Sequence, residues 1–186
     1  MKIAKIAKTA KNTQKINIVI IGHMGSGKSL IGRLIAKELN FKHIDSDGLI
    51  EKSSSETINN IFKTKGEKYF RKIEEETIIN LSFKKAIVLS LGGGSIISQK
   101  VRDFLMKNNF VSLFLDIDFK ILKKRLSNSS KRPLLVNVDI EKKIKELDSK
   151  RRKYYLLADV ILKNYDDPNK IVSVFLEKYK KIIKFK

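Results

Sequence analysis

The stretch from Ile16 to Ile35 constrains this chain more than any other, because it passes from an apolar run through a glycine turn into helical spacing. The run is Ile16-Asn17-Ile18-Val19-Ile20-Ile21, and the turn is Gly22-His23-Met24-Gly25-Ser26-Gly27-Lys28-Ser29. Leu30, Ile31, Leu34 and Ile35 then share one helical face, with Arg33 and Lys37 off it. A buried strand, a Gly-x-x-x-x-Gly-Lys-Ser turn and a helix start together predict a phosphate-binding loop. Its glycines let backbone N–H groups point inward and approach a phosphate closely. The helix N-terminus adds unpaired N–H groups and partial positive charge. Lys28 is expected to reach the outer phosphates of a nucleoside triphosphate, and the Ser29 hydroxyl to hold Mg²⁺. A plain glycine-rich strand-to-helix turn is the bland alternative, and the context argues against it. His23 stands where the motif is free to vary and is expected to contribute only its backbone.

At 186 residues with 42% hydrophobic composition, the chain suits one globular core. It has no Cys and no Trp, which removes disulfides and thiolate metal sites and fits a reducing, cytoplasmic setting. No apolar run approaches the roughly 18 residues that span a bilayer. The net charge of +20 raises nucleic-acid binding as a question. Five lysines fall in residues 1–15, and five more in 177–186 beside Glu177. Setting those aside from 40 basic and 20 acidic residues leaves 30 against 19, spread around the body without a basic stripe. Attraction of a polyanionic nucleotide is the more economical use of that field, so no specific nucleic-acid partner is expected.

Residues 1–15 are expected to be a basic extension; a helical face or a targeting segment are also compatible with the spacing, and a solvated tail is favoured. Phe41 to Ile44 reads as a second strand, ending at Asp45-Ser46-Asp47. Carboxylates there lie where ligands bind in open α/β sheets, and a phosphate loop needs a second acid for its metal. The same run also suits a turn or a helix cap, Asp47 included. His43 reads as a half-buried strand residue. Glu56 to Lys63 and Gly66 to Leu81 read as two helices. Within the second, Arg71 and Glu74 share a face, which from that segment alone reads as a surface ion pair.

Ala86 to Leu91 is a strand covered on both faces. Gly92-Gly93-Gly94 follows, where backbone brought close to a ligand explains three glycines better than a linker. A helix is expected at Ser98, a strand over Phe110 to Leu115 and a helix over Phe119 to Leu126. Residues 127–138 suit a mobile lid over the phosphates, with Arg132 supplying positive charge to the transferring group. A charged helix over 139–157, a fifth strand at Asp159 to Lys163 and a helix from Asn169 to Lys181 complete the pattern. Pro168 fits the first turn of that last helix. Alternating strands and helices predict an α/β fold of three layers around a five-stranded parallel sheet, of the P-loop and nucleoside-monophosphate-kinase type. The body is expected over 16–181 and a short basic tail over 182–186.

Taken together, the phosphate loop, Asp45-Ser46-Asp47, Phe70-Arg71, Gly92-Gly93-Gly94, Arg132-Pro133-Leu134-Leu135 and an Arg–Tyr pair before Ala158-Asp159 resemble the shikimate kinase family from about Ile16 to Lys181. The resemblance implies ATP-dependent phosphorylation of the 3-hydroxyl of shikimate, in aromatic amino-acid biosynthesis, by a monomer. It implies that the N–H groups of Gly25, Ser26, Gly27, Lys28, Ser29 and Leu30 hold the ATP phosphates. Ser29 with Asp45 would hold Mg²⁺, and Asp47 would bond the shikimate hydroxyls and take the proton of the attacking one. Arg71, Arg151 and the backbone at Gly92, Gly93 and Gly94 would grip the substrate, chiefly its carboxylate. Arg132 would close over the phosphates, while Arg125 and the Pro168 loop would flank adenine.

Planar guanidinium groups match a carboxylate, so Arg pairs with one acid suit a small hydroxy acid independently of the resemblance. Leu30 stands where that family usually has Thr, removing a hydroxyl near the nucleotide. Counting from Tyr155 selects Arg151 as the carboxylate ligand, whereas counting back from Asp159 selects Lys150. The nearest rivals are a gluconate or nucleoside-monophosphate kinase with the same phosphate site. A nucleotide-dependent nucleic-acid-binding protein is more distant.

Overall fold

A computed structural model describes residues 16–83, 86–127, 134, 138–163 and 167–185. Five parallel strands form one sheet: β1 (Ile18–Ile21), β2 (Lys42–Asp45), β3 (Ile87–Ser90), β4 (Val111–Asp116) and β5 (Val160–Lys163), in the order β2-β3-β1-β4-β5. Among the described residues seven α-helices accompany them: α1 (Lys28–Leu39), α2 (Ser46–Ser54), α3 (Ile58–Ile79), α4 (Gln99–Lys107), α5 (Phe119–Ser127), α6 (Ile140–Tyr155) and α7 (Pro168–Ile182). The α/β class and the five parallel strands expected from the alternation are therefore present.

The layering follows from the period of two along a strand. Ile18 and Ile20 of β1 point to one face, where Ile31 and Ile35 of α1 and Val172 and Phe175 of α7 cover them. Val19 and Ile21 point to the other, against Ile78 of α3, Val101 of α4 and Tyr155 of α6. Both faces of β1 are buried, as a continuous apolar run in a parallel sheet requires. Two smaller apolar clusters stand at the rim. Ile50 of α2 meets Ile61 and Phe70 of α3, and Leu122 and Leu126 of α5 meet Ile144 of α6.

All five strands run the same way, so the phosphate loop, the Asp45 turn, the glycine triplet and the starts of α5 and α7 share the C-terminal edge of the sheet. The chain leaves central β1 for β2 and later crosses from β3 to β4, which places the crevice beside β1.

Several expectations shift. The helix cap that the Asp45-Ser46-Asp47 run also suited is present and opens α2 over residues 46–54; the capping residue is Asp45, accepting from Asp47 N at 3.1 Å and Gly48 N at 3.5 Å, and not Asp47. The two helices expected over 56–63 and 66–81 are one element, α3, broken at Gly66 by φ 79° and ψ 171°. The basic tail begins inside the last turn of α7, where Ile182 and Ile183 pack against the core. Residues 1–15, Arg132 and most of the proposed lid lie outside the described residues. Among the described residues no helix is long and apolar enough to cross a membrane.

Candidate active site

The phosphate loop is built by its glycines and by α1. Gly27 caps α1 at φ 93°, a left-handed conformation that side chains rarely adopt, and a Cβ there would meet nothing within 4 Å. No side chain caps α1, so its first N–H groups face the open slot. Lys28 folds back over the loop, its Nζ donating to the carbonyls of Gly22 at 2.9 Å and His23 at 2.7 Å. Ser29 Oγ donates to Asp45 Oδ2 at 2.5 Å. The Asp45 carboxylate thus divides its oxygens, one capping α2 and one meeting Ser29. Those two hard oxygen groups fit Mg²⁺, which typically takes one or two protein oxygens and completes its shell with phosphate and water.

A slot of about 230 Å³ is lined by Gly25, Gly27, Lys28, Ser29, Leu30 and Asp47, among others. Leu30, 45% exposed, presents a methyl group there where a hydroxyl was expected in the family pattern. Arg125 of α5 donates to the Gly25 carbonyl at 3.2 Å, beside the loop. Pro168 opens α7 behind its Asp167 cap, past the end of β5 on the same edge of the sheet.

A larger cleft of about 700 Å³ opens beside this slot and shares Met24, Ser29, Asp45, Asp47 and Gly93 with it. Asp47, on the first turn of α2, therefore faces both spaces. Arg71, Glu74 and Arg151 line the far side of the larger one. Arg71 donates through Nη1 to Glu74 at 2.7 Å and through Nη2 to Glu67 at 3.0 Å, and stacks on Phe70. Glu74 is only 2% exposed and also accepts from Ser95 Oγ at 2.7 Å. The surface ion pair read from the segment thus has a buried acid, Glu74, that holds the partly exposed Arg71 at the cleft. Burial opposes the Arg71 charge, but Glu74 and Glu67 outweigh it and hold its pKa above the ordinary value.

Arg151 is the opposite case. It is 2% exposed, and its Nε and Nη1 have no hydrogen-bond partner. Burial pushes its pKa below the ordinary arginine value; Tyr155 offsets part of this, and nearby Arg71 adds to it. A buried cation with vacant donors at a cleft wall is costly unless a carboxylate arrives. Lys150, the other candidate, points outward and pairs with Glu146 at 2.7 Å.

The glycine triplet explains how these charges come so close. A Cβ on Gly92 would stand 2.6 Å from Glu74 Oε1 and 2.8 Å from Asp47 Oδ1. One on Gly93 would stand 3.3 Å from Arg151 Nη1, and one on Gly94 2.6 Å from Arg71 Nη1. Gly92 makes room for Glu74 and Asp47, Gly93 for Arg151 and Gly94 for Arg71, while Ser46 Oγ accepts from Gly92 N at 2.8 Å and Tyr155 donates to the Gly93 carbonyl at 2.5 Å. Gly92→Ala is expected to lower kcat/KM about 10–100-fold through displacement of Asp47 and Glu74. Steady-state kinetics beside a thermal melt checks this: activity should fall far more than stability.

His23 departs from expectation. Its ring is buried, its Nε2 lies 2.7 Å from Asp148 Oδ1, and it meets the rings of Phe119 and Tyr155 edge-on. Burial pushes its pKa down, and Asp148 offsets only part of this. His43 is half-buried as expected and pairs with Ser90 Oγ at 3.0 Å. Glu74, read from its spacing only as a surface partner of Arg71, proves to be a buried residue of the site. Asp148 carried no signal in the sequence, since its partner lies 125 positions away.

A family model for shikimate kinase matches residues 24–180. A shikimate kinase of Rippkaea orientalis is 39% identical over 179 residues, spanning 95% of each chain. One from Aquifex aeolicus is 38% identical over 161 residues, covering 87% of this chain and 94% of the relative. The solved shikimate kinase from Acinetobacter baumannii, in complex with shikimate, superposes with a TM-score of 0.81 at 31% identity, covering 89% of this chain and 95% of that one.

Proposed function

The chain belongs to the shikimate kinase family, and from that premise we propose how its own residues carry the terminal phosphoryl group of ATP to the 3-hydroxyl of shikimate. The N–H groups from Gly25 to Leu30 and the Lys28 ammonium hold the ATP phosphates in the smaller slot. Ser29 and Asp45 would hold Mg²⁺, which would supply charge neutralisation at the phosphates. Arg125 and the Pro168 turn flank adenine, and Arg132 closes over the transferring group.

Shikimate occupies the larger cleft. Its carboxylate answers the vacant donors of Arg151 and the cleft-facing edge of Arg71, and the backbone at Gly92, Gly93 and Gly94 supports it. Asp47 accepts hydrogen bonds from the ring hydroxyls and takes the proton as the oxygen attacks phosphorus. Transfer is then positioning and charge stabilisation, with water excluded so that ATP is not hydrolysed. One observation carries this reading: a buried guanidinium, Arg151, with Nε and Nη1 unpartnered, lines a cleft that shares Asp47 with the phosphate slot. The enzyme works as a single chain, and no nucleic acid takes part.

An ATP-consumption assay with shikimate, gluconate and nucleoside monophosphates as acceptors tests the assignment. Turnover with shikimate alone is expected. Turnover with gluconate or a nucleotide, and none with shikimate, would overturn it.

A further inference from the structure

Arg151 has no partner for Nε or Nη1 and is tied by a side-chain hydrogen bond to Tyr155 on its own helix, so its aim depends on what holds that helix. Asp148, Arg151 and Tyr155 are all buried and lie on one face of α6 at helical spacing. Tyr155, one turn beyond Arg151, donates to the Gly93 carbonyl. Asp148, one turn before it, meets His23 Nε2 at 2.7 Å. Two anchors therefore bracket the substrate-facing arginine, and one of them begins in the phosphate loop. The His23 carbonyl also accepts from Lys28 Nζ at 2.7 Å, so the residue gripping α6 is the one on which the phosphate-binding lysine rests.

We propose that His23 and Asp148 are a positioning pair that pins α6 to the phosphate loop and holds Arg151 at the angle its carboxylate partner requires. Tyr155 and Arg152 tie the C-terminal half of α6 to Gly93 and Asp116, and the His23–Asp148 pair adds the tie on the N-terminal side of Arg151, from the phosphate loop. An ionised carboxylate only accepts, so Nε2 is the protonated ring nitrogen in its bond to Asp148. Arg152 pairs with Asp116 at 3.2 Å and approaches Asp148 at 3.5 Å, which braces the acid from outside. The proposal rests on Arg151 binding the substrate carboxylate, so Arg151→Met is run beside the other variants.

Steady-state kinetics on the full chain with ATP and shikimate, together with thermal melts, tests it. His23→Leu and Asp148→Ala are each expected to raise KM for shikimate about tenfold, with kcat changed less than about threefold and KM for ATP nearly unchanged. The double variant should cost little more than either single one. His23→Gln, whose amide nitrogen falls near Nε2, and Asp148→Asn, which still accepts from Nε2–H, should both return KM to within about threefold of the original. If His23→Leu fails to fold, Asp148→Ala set against Asp148→Asn decides the matter. Lower melting temperatures with KM for shikimate unmoved would reduce His23 to core packing and overturn the proposal. An unmoved KM in Arg151→Met would instead show that the carboxylate assignment itself is wrong.

Discussion

Replacing Asp47 with Asn is expected to lower kcat by about 10²–10⁴-fold, the usual scale for removing a positioned acid–base group. KM for ATP should change little. Asn has the same shape, fits the recess that Gly92 leaves, and can still bond a hydroxyl. It cannot accept a proton as the attacking oxygen develops charge. Because Asp47 lies on the first turn of α2 but does not cap it, the substitution leaves the Asp45 cap intact. The melting temperature should therefore stay close to that of the parent. Single-turnover kinetics with ATP and shikimate checks this, and a kcat within a few-fold of the parent would remove Asp47 from the chemistry.

Arg151→Met should separate function from stability. Losing one charge-stabilising contact costs about 2.7–4 kcal/mol of transition-state stabilisation, or roughly 10²–10³-fold in kcat/KM for shikimate. The folded protein, however, carries Arg151 as a buried cation with vacant donors beside Arg71. Removing such a group relieves a desolvation penalty, so the empty enzyme should melt at a higher temperature by a few degrees, roughly 2–4 °C per kcal/mol for a chain of this size. Arg71 offers the contrasting case, since its loss would strand Glu74, which is 2% exposed. Arg71→Met should lower activity and stability together. Differential scanning calorimetry beside kinetics distinguishes the two arginines.

The two arginines also show where sequence reasoning reaches and where it stops. The phosphate loop is legible because its chemistry is local: glycine conformations, a helix start, a lysine and a serine are consecutive. The sheet is legible because β1 is uniformly apolar and β3 nearly so, Ser90 apart, as strands covered on both faces tend to be. Helix α2 is legible only at its start, since its nine residues include four hydroxyl or glycine positions of modest helix propensity and bury only Ser46 and Ile50. Its cap, Asp45, also reads as the end of a strand, which it is.

Arg71 and Glu74 announced an ion pair by spacing, but whether that face met solvent or a cleft depended on Ser95 and the glycine triplet packing over it. The glycines suggested close approach without naming what approached. Only the fold shows which side chains each makes room for. His23 gave no signal, because its significance lies wholly in a partner on α6.

Titration calorimetry with shikimate, in the presence of Mg²⁺ and a non-hydrolysable ATP analogue, tests the shared cleft most directly. Binding at one site per chain that is lost in Arg151→Met is the predicted result. Absence of heat with shikimate, while gluconate or a nucleoside monophosphate saturates the same protein, would contradict it.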